Sequence, residues 1–485
     1  MKILLVNPPF NILREKYDSS VSVGLLCLGT YLHSKGVQVT IIDGARESDF
    51  LNKILSTVSD FRFVGLSVMT TQIPQAMKVS KRIREVHGKS TIIWGGAHPT
   101  FFAEQTVSDP VVDIVCFGEG EETLLEIVQG KPLEEILGIA FKKDLNVIKN
   151  QPRARIDPTK TPSLNWNLIS PEVLSNLSLV PSLTSRGCPH RCTFCVNAIQ
   201  NYHWKSRESD QVISDLIKIK DFPVFSRKKI RFWDENFFVD IKRSREIVEG
   251  MIRNKLNLSW ETTVRADYFR KGFIDNQFLG RLKASGCYLL AFGAESGSPD
   301  ILKKINKDLT PSDIIASAKL CLINGIIPQY SFMIGLPGEK KQDMLLTIDL
   351  IRRLRKLSPK VQFLGPQAFR PYPGSLLYQE CLRAGWQAPK DLKDWESLAR
   401  NQLSYLSVQQ FPWVNEKDFV EAMEVFVRFG AHPIKEALKS TTKASFLLKL
   451  GLALVCKLRW KFRFFEFPIE FLLAKKFVSR LNSST

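Results

Sequence analysis

The chain has 485 residues, 44% of them apolar, nine cysteines and a formal net charge of +19. That length gives two or three domains with sizeable cores. Six of the cysteines are scattered singly, which excludes a disulfide framework and fits a reducing compartment. No stretch of about 18 uncharged apolar residues is present, so no membrane span is expected. The N-terminus lacks the features of a signal peptide. The charge suits nucleic acid, an anionic substrate or a membrane surface. With no zinc finger, RNP-type motif or Arg-rich tract, no nucleic-acid partner is expected.

Residues 1–145 alternate short apolar runs with helical patterns. Strands are expected at Ile3–Val6, Val37–Asp43, Phe63–Val68, Thr91–Gly95 and Asp113–Phe117. Helices are expected at Leu25–Ser34, Phe50–Val58, Ile73–Val86 and Glu121–Gln129. Continuous β-branched strands separated by helices need cover on both faces, which predicts a doubly wound, Rossmann-like parallel sheet. Ligands of such sheets sit beyond the carboxyl ends of the strands. Those ends are small and polar: Asn7-Pro8-Pro9, Asp43-Gly44, Ser67 to Thr71, Gly95-Gly96-Ala97-His98 and Gly118-Glu119-Gly120-Glu121. Glycine lets a large flat ligand approach the backbone, although it also simply ends strands. Five such ends in register favour the ligand site.

Residues 146–179, with Pro152, Pro158, Pro162 and Pro171, read as a linker preceded by some β structure at Ile139–Lys142. Over 180–384 the alternation resumes. Strands are expected at Val180–Thr184, Lys229–Trp233, Ser259–Thr263, Tyr288–Phe292, Ile327–Met333 and Val361–Phe363, and helices at Gln211–Ile219, Ser244–Arg253, Asp275–Ala284, Pro299–Lys303, Pro311–Asn324 and Lys341–Leu354. Six βα units are too few for an eight-fold barrel and predict a partial (β/α)6 TIM-type barrel. Residues 385–485 form a helical C-terminal region with a basic amphipathic tail over Phe446–Leu481. From Ala431 to Thr485, 11 Lys and Arg stand against 3 Asp and Glu, so 11 − 3 = +8.

Just after the first barrel strand stands Cys188-Pro189-His190-Arg191-Cys192-Thr193-Phe194-Cys195. Three thiolates this close can ligate one metal centre. A structural zinc needs a fourth ligand, and a disulfide framework needs an even number. Three suit an iron–sulfur cluster with one iron left open for a small molecule, although all-cysteine clusters normally use four. Gly187, Pro189, Arg186 and Arg191 make this a tight polar loop rather than an incidental buried cluster.

Cys-x3-Cys-x2-Cys, with Phe194 before the last cysteine and placed after the first strand of a βα series, resembles the radical S-adenosylmethionine (SAM) superfamily. The resemblance implies that Cys188, Cys192 and Cys195 hold a 4Fe–4S cluster whose open iron SAM chelates. One electron then cleaves SAM to methionine and a 5′-deoxyadenosyl radical, while the protein orients the cofactors and excludes water. Further pieces follow in order. Asp234 and Glu235, after the second strand, match the place of polar groups near the SAM ammonium; a solvated acid pair is the alternative. Arg265 ends the third strand, and its planar fork fits the SAM carboxylate; an inter-strand salt bridge is the alternative. Glu295, in Gly293-Ala294-Glu295-Ser296-Gly297, resembles the residue that reaches the ribose hydroxyls. Gly335, opening Gly335-Leu336-Pro337-Gly338-Glu339, resembles the turn near the adenine. Phe194 completes the cofactor-binding set on this side.

The first 145 residues resemble the cobalamin-binding domain that precedes many radical SAM domains. That resemblance implies cobalamin contacts at Gly95, Gly96, His98, Gly118 and Glu119. One departure stands out. The first strand runs into Asn7-Pro8-Pro9 and not into the Asp-x-His-x-x-Gly motif whose histidine ligates cobalt. His33-Ser34-Lys35-Gly36 keeps part of the spacing, but Tyr31 replaces the Asp and the segment ends a surface helix. Cobalt would then lack a protein histidine. A domain that has lost cobalamin is the competing reading.

The two resemblances together imply a cobalamin-dependent radical SAM enzyme, foremost a methyltransferase acting on an unactivated carbon of a secondary metabolite or lipid-like substrate. A radical oxidative cyclase or ring-rearranging enzyme is the alternative, and a non-catalytic cobalamin-binding protein a further one. A tRNA methylthiotransferase would want three more cysteines in the first domain, where only Cys27 and Cys116 stand. The expected partners are a small, hydrophobic substrate and a reducing donor such as flavodoxin or ferredoxin. The tail either contacts a membrane surface or caps the barrel. The expected location is cytoplasmic, peripheral to the inner face of the membrane. The catalytic general base is not identified.

Overall fold

The computed structural model describes residues 1–10, 21–199, 203–402, 408–431 and 443–472. The end of the tail, 473–481, lies outside the described residues. The chain divides into two compact units, one of Met1–Arg186, Lys205–Trp233 and Ala388–Ser404, the other of Gly187–Trp204, Asp234–Gln387 and Tyr405–Thr485.

The first unit is built on a seven-stranded sheet. Its strands are β1 (Lys2–Asn7), β2 (Gln38–Asp43), β3 (Phe63–Ser67), β4 (Thr91–Gly95), β5 (Ile114–Cys116), β6 (Ile139–Lys143) and β7 (Asn146–Lys149), in the order β2-β1-β3-β4-β5-β6-β7. The first five are parallel, with Lys2 opposite Gln38 and Phe63 opposite Thr91. Helices cover both faces, so Ile3 to Val6 are wholly buried. The parallel doubly wound sheet is as expected except at one edge. There β6 and β7 run antiparallel. A two-residue turn, with Asp144 at φ 54°, joins them directly, and so short a connection cannot make the crossover that a parallel pair needs. Two short helices, Ala97–Phe101 and Ala103–Ser108, stand where only a turn was expected after β4. The unit also holds a parallel pair, β8 (Leu179–Ser182) and β9 (Lys229–Phe232), in register from Leu179 opposite Lys229 to Ser182 opposite Phe232.

In the second unit β10 (Trp260–Val264), β11 (Cys287–Glu295), β12 (Ile327–Ile334) and β13 (Gln362–Ala368) pair in parallel in chain order. With β8 and β9, all six strands expected of the partial barrel are present. Intervening helices start where the sequence offers caps. Asp240 accepts from Arg243 N at 2.9 Å, Asp275 from Phe278 N at 2.7 Å, and Thr310 precedes Pro311 at the first helical position. Side chains alternate strictly along β12, with Pro328, Tyr330, Phe332 and Ile334 buried. The C-terminal helices Lys417–Ala431 and Lys443–Phe462 pack on each other, and a Cβ on Gly430 would stand 3.0 Å from Trp460. Among the described residues no helix is long and apolar enough to cross a membrane.

Candidate active site

The cysteine loop belongs to the second unit and is pinned from several sides. Gly187 enters it at φ 84°, and its N–H donates to Glu235 Oε2 at 3.1 Å. Thr193 N donates to Ile305 O at 3.1 Å, Asn306 Nδ2 to Arg191 O at 3.0 Å, and Leu377 N to Thr193 O at 3.2 Å. Cys192 is buried, and Cys188 and Cys195 are half-buried. Burial pushes the Cys188 and Cys195 thiols above their ordinary value, and the neighbouring cysteines push the same way. Arg265 opposes this at Cys188, and Lys307 opposes it at Cys195. Arg265 Nη1 stands 3.8 Å from Cys192 Sγ.

Arg265 is itself buried. Its Nε donates to Asp267 Oδ1 at 2.8 Å, and its Nη2 donates to the Lys307 carbonyl. Its salt bridge is therefore local, to the residue two ahead, and not inter-strand. Tyr268 joins the loop to β9's outgoing turn: its hydroxyl lies 3.0 Å from His190 Nε2 and accepts from Asn236 Nδ2 at 2.8 Å. Burial, with the charge of Arg265, pushes His190 down to about 4, so the ring is neutral. Asp234 is buried, and its carbonyl accepts from Thr263 Oγ1 at 2.8 Å.

A residue that the sequence reading missed organises this region. Lys307 is 7% exposed; its ammonium is 2.9 Å from Glu295 Oε1 and 5.6 Å from the centroid of Phe194. A cation over an aromatic face gains from the ring quadrupole. Glu295 sits at φ 63°, beside a register shift between Gly293 and Glu295, and this backbone carries the carboxylate to Lys307. A Cβ on Gly293 would run into Glu295 Oε1 and stand 2.7 Å from Lys307 Nζ, so any larger residue would make the pair shift. The turn Ile305–Lys307 thus touches the cysteine loop, Arg265, Glu295 and Phe194. The signal for it was the pair Asn306 and Asp308, polar residues suited to left-handed backbone, at φ 54° and 49°.

Gly335 stands apart from these contacts. Its φ is 75°, its N–H and that of Leu336 donate to Glu339 Oε2 at 2.5 and 3.0 Å, and its carbonyl accepts from Trp413 Nε1 at 3.0 Å. Burial pushes the Glu339 carboxyl up to about 8 against those two amides.

The thiol loop fits an iron–sulfur cluster. Among the described residues no three His, Cys, Asp or Glu groups converge on one ion. The donors are soft thiols, which suit iron–sulfur ligation.

In the first unit the strand ends form a polar rim. Asn7 Nδ2 donates to Asp43 Oδ1 at 2.8 Å, and Gln72 Nε2 donates to Asn7 Oδ1 at 2.9 Å. Gly96, at φ 97°, lets β4 close on β3, because a Cβ there would be 2.8 Å from Val68 N; Gly95 makes only ordinary contact. Gly118, at φ 80°, has open space where a Cβ would stand. Glu119 faces the connector: it accepts from Arg155 Nη2 at 2.9 Å and from Ile156 N at 2.8 Å. His98 is 1% exposed, 3.3 Å from Thr70 Oγ1, and packed between Phe102 and Trp395 with ring centroids 5.2 and 5.1 Å away. Burial pushes it down to about 3, and its Nε2 has no hydrogen-bond partner among the described residues. The open glycine and the orphaned nitrogen fit a large ligand at this rim. His33 lies exposed at the end of the helix Val23–Ser34.

Comparison with known proteins agrees with both units. The B12 binding domain model matches residues 15–128, and the radical SAM superfamily model matches residues 182–351. An uncharacterized methyltransferase of Pyrococcus horikoshii is 30% identical over 392 residues, 78% of this chain and 83% of that protein. The bacteriochlorophyllide d C-12(1)-methyltransferase of Chlorobaculum tepidum is 27% identical, with 78% of each chain covered. An anaerobic magnesium-protoporphyrin IX monomethyl ester cyclase of Synechocystis is 24% identical over 63% of each. In fold, the chain is similar to the radical SAM methyltransferase TsrM of Kitasatospora setae, with TM-score 0.64, 19% identity and coverage of 80% and 77%. It is likewise similar to the cobalamin-dependent radical enzyme OxsB, with TM-score 0.67, 18% identity and coverage of 99% and 75%. A partial barrel carrying a three-cysteine loop defines a radical SAM enzyme. With its preceding sheet, the chain belongs to the cobalamin-binding radical SAM family. It is a methyltransferase of that family, and its cofactors are a 4Fe–4S cluster, SAM and cobalamin.

Proposed function

We propose that this enzyme methylates an unactivated carbon of a hydrophobic small molecule, a secondary metabolite or a lipid-like compound. The observation that carries the proposal is the Ile305–Lys307 turn, which ties the thiol loop to Arg265 and Glu295 in one buried network. When bound, the cofactors supply a 5′-deoxyadenosyl radical and a transferable methyl group. Cys188, Cys192 and Cys195 are the cluster ligands. Glu295 and Lys307 present one negative and one positive group to SAM, and Arg265 and Tyr268 hold the loop in place. Asp234 and Glu235 stand at the SAM ammonium, Phe194 and Gly335 against the rest of SAM. Gly95, Gly96, Gly118, Glu119 and His98 form the cobalamin rim, with no histidine on cobalt. The functional segments are 1–145 for cobalamin, 146–179 as linker, 180–384 for SAM and 385–485 as the helical region. Flavodoxin or ferredoxin delivers the electron, and the enzyme works in the cytoplasm with its tail at a membrane.

A gain of one CH2 in the product, carrying label from methyl-deuterated SAM, is expected when the anaerobically reconstituted enzyme acts on extracts of the producing cell. Loss of hydrogen or gain of oxygen without label would overturn methylation in favour of cyclisation.

A further inference from the structure

We infer that the helix Lys443–Phe462 and the segment after it dock on an anionic lipid bilayer. This gives the tail contact proposed above its residues. One face of the helix is bound to protein: Ala453 and Cys456 are fully buried, and Lys457 Nζ donates to Gly430 O at 2.7 Å. Arg459 folds the next segment back, pairing with Glu470 and donating to the carbonyls of Glu466 and Phe467 at 2.7 and 2.8 Å. Phe465 and Phe471 are buried beneath it.

Among the described residues, the opposite face is not covered by protein. Leu454, Leu458 and Phe462 recur every four residues and are 51%, 57% and 69% exposed. In the segment after the helix, Phe464, Phe467 and Ile469 are also exposed, at 50%, 73% and 59%. Elsewhere among the described residues exposed large apolar side chains are scattered, as on any soluble surface. A concentration of this kind marks an interaction site.

Charge decides the occupant. Residues 443–472 hold six Lys and Arg against two Glu, so 6 − 2 = +4. Both carboxylates are already paired, Glu466 with Lys341 and Glu470 with Arg459. Lys461 stands exposed over the Phe462 ring, 5.5 Å from its centroid. Apolar side chains flanked by excess positive charge match the headgroup boundary of an anionic bilayer, where the chains enter the acyl edge and the cations stay at the phosphates. A second copy meeting this face across a two-fold axis would set like charges against each other. The helix is not apolar enough to cross, so it lies in the plane.

The test is co-sedimentation of the full chain with vesicles of phosphatidylcholine alone or mixed with phosphatidylserine. The wild type is expected on the mixed vesicles and largely absent from the neutral ones. Leu458→Glu with Phe462→Glu should lower partitioning at least about tenfold. Lys461→Glu should lower it about fivefold. Reductive SAM cleavage should be unchanged in both variants, which shows that they fold and keeps the reaction out of the comparison. Equal vesicle binding by wild type and variants would overturn the inference. So would a wild type that ignores both vesicles and sediments as a dimer that the double substitution breaks.

Discussion

Lys307→Met tests the network directly. Methionine keeps most of the apolar stem and removes the ammonium. Glu295, about a tenth exposed, then stays buried at φ 63° without its partner. Removing one partner of a buried pair costs about 3–5 kcal/mol, because the remaining charge is left uncompensated. Removing both charges leaves no such penalty. Lys307→Met combined with Glu295→Gln should therefore cost at least about 2 kcal/mol less than Lys307→Met alone. Equilibrium urea unfolding of the wild type, the two single variants and the double variant at one pH measures this. The same variants should lose SAM affinity in equilibrium binding while keeping cobalamin. If Lys307→Met costs less than about 1 kcal/mol, or costs the same whether or not Glu295→Gln is also present, the ion pair does not organise the site.

Gly293→Ala should weaken SAM binding at least about tenfold, since its methyl enters the space of Glu295 Oε1 and Lys307 Nζ; unchanged affinity would contradict the geometry. His98 gives a pH signature. Its folded value is about 3 against 6.5 for an ordinary imidazole, because burial disfavours the cation. The unfolded chain therefore binds a proton that the folded chain refuses. The contribution of a neutral His98 to stability is complete above pH 6.5 and is lost as pH falls toward 3. The wild type should lose about 1.4 kcal/mol per pH unit relative to His98→Gln in that window, read from urea midpoints; parallel curves would contradict it.

Much of this arrangement was legible in the residues. The β-branched runs at Ile3–Val6 and Thr91–Gly95 announce buried parallel strands. The three cysteines are local, so their spacing shows directly. What was not legible is long-range. Lys307 reads as one of several lysines at a helix end, and only the fold carries it to Glu295 and Phe194. Glu119 follows a glycine at a strand end, and nothing local shows that Arg155 and Ile156, some 36 positions on, donate to its oxygens. Trp395 covers His98 from almost 300 residues away, a distance over which no periodicity or motif speaks. The edge hairpin was missed because a two-residue turn outweighs the parallel pattern of the strands before it.

The most direct measurement is reductive SAM cleavage by the anaerobically reconstituted chain, followed as 5′-deoxyadenosine, alongside the optical spectra of cluster and cobalamin. The wild type should cleave SAM and show both chromophores. The variant with Cys188, Cys192 and Cys195 changed to alanine should show cobalamin alone and release no 5′-deoxyadenosine. Cleavage by the alanine variant, or a fully loaded wild type that leaves SAM intact, would contradict the assignment of this loop.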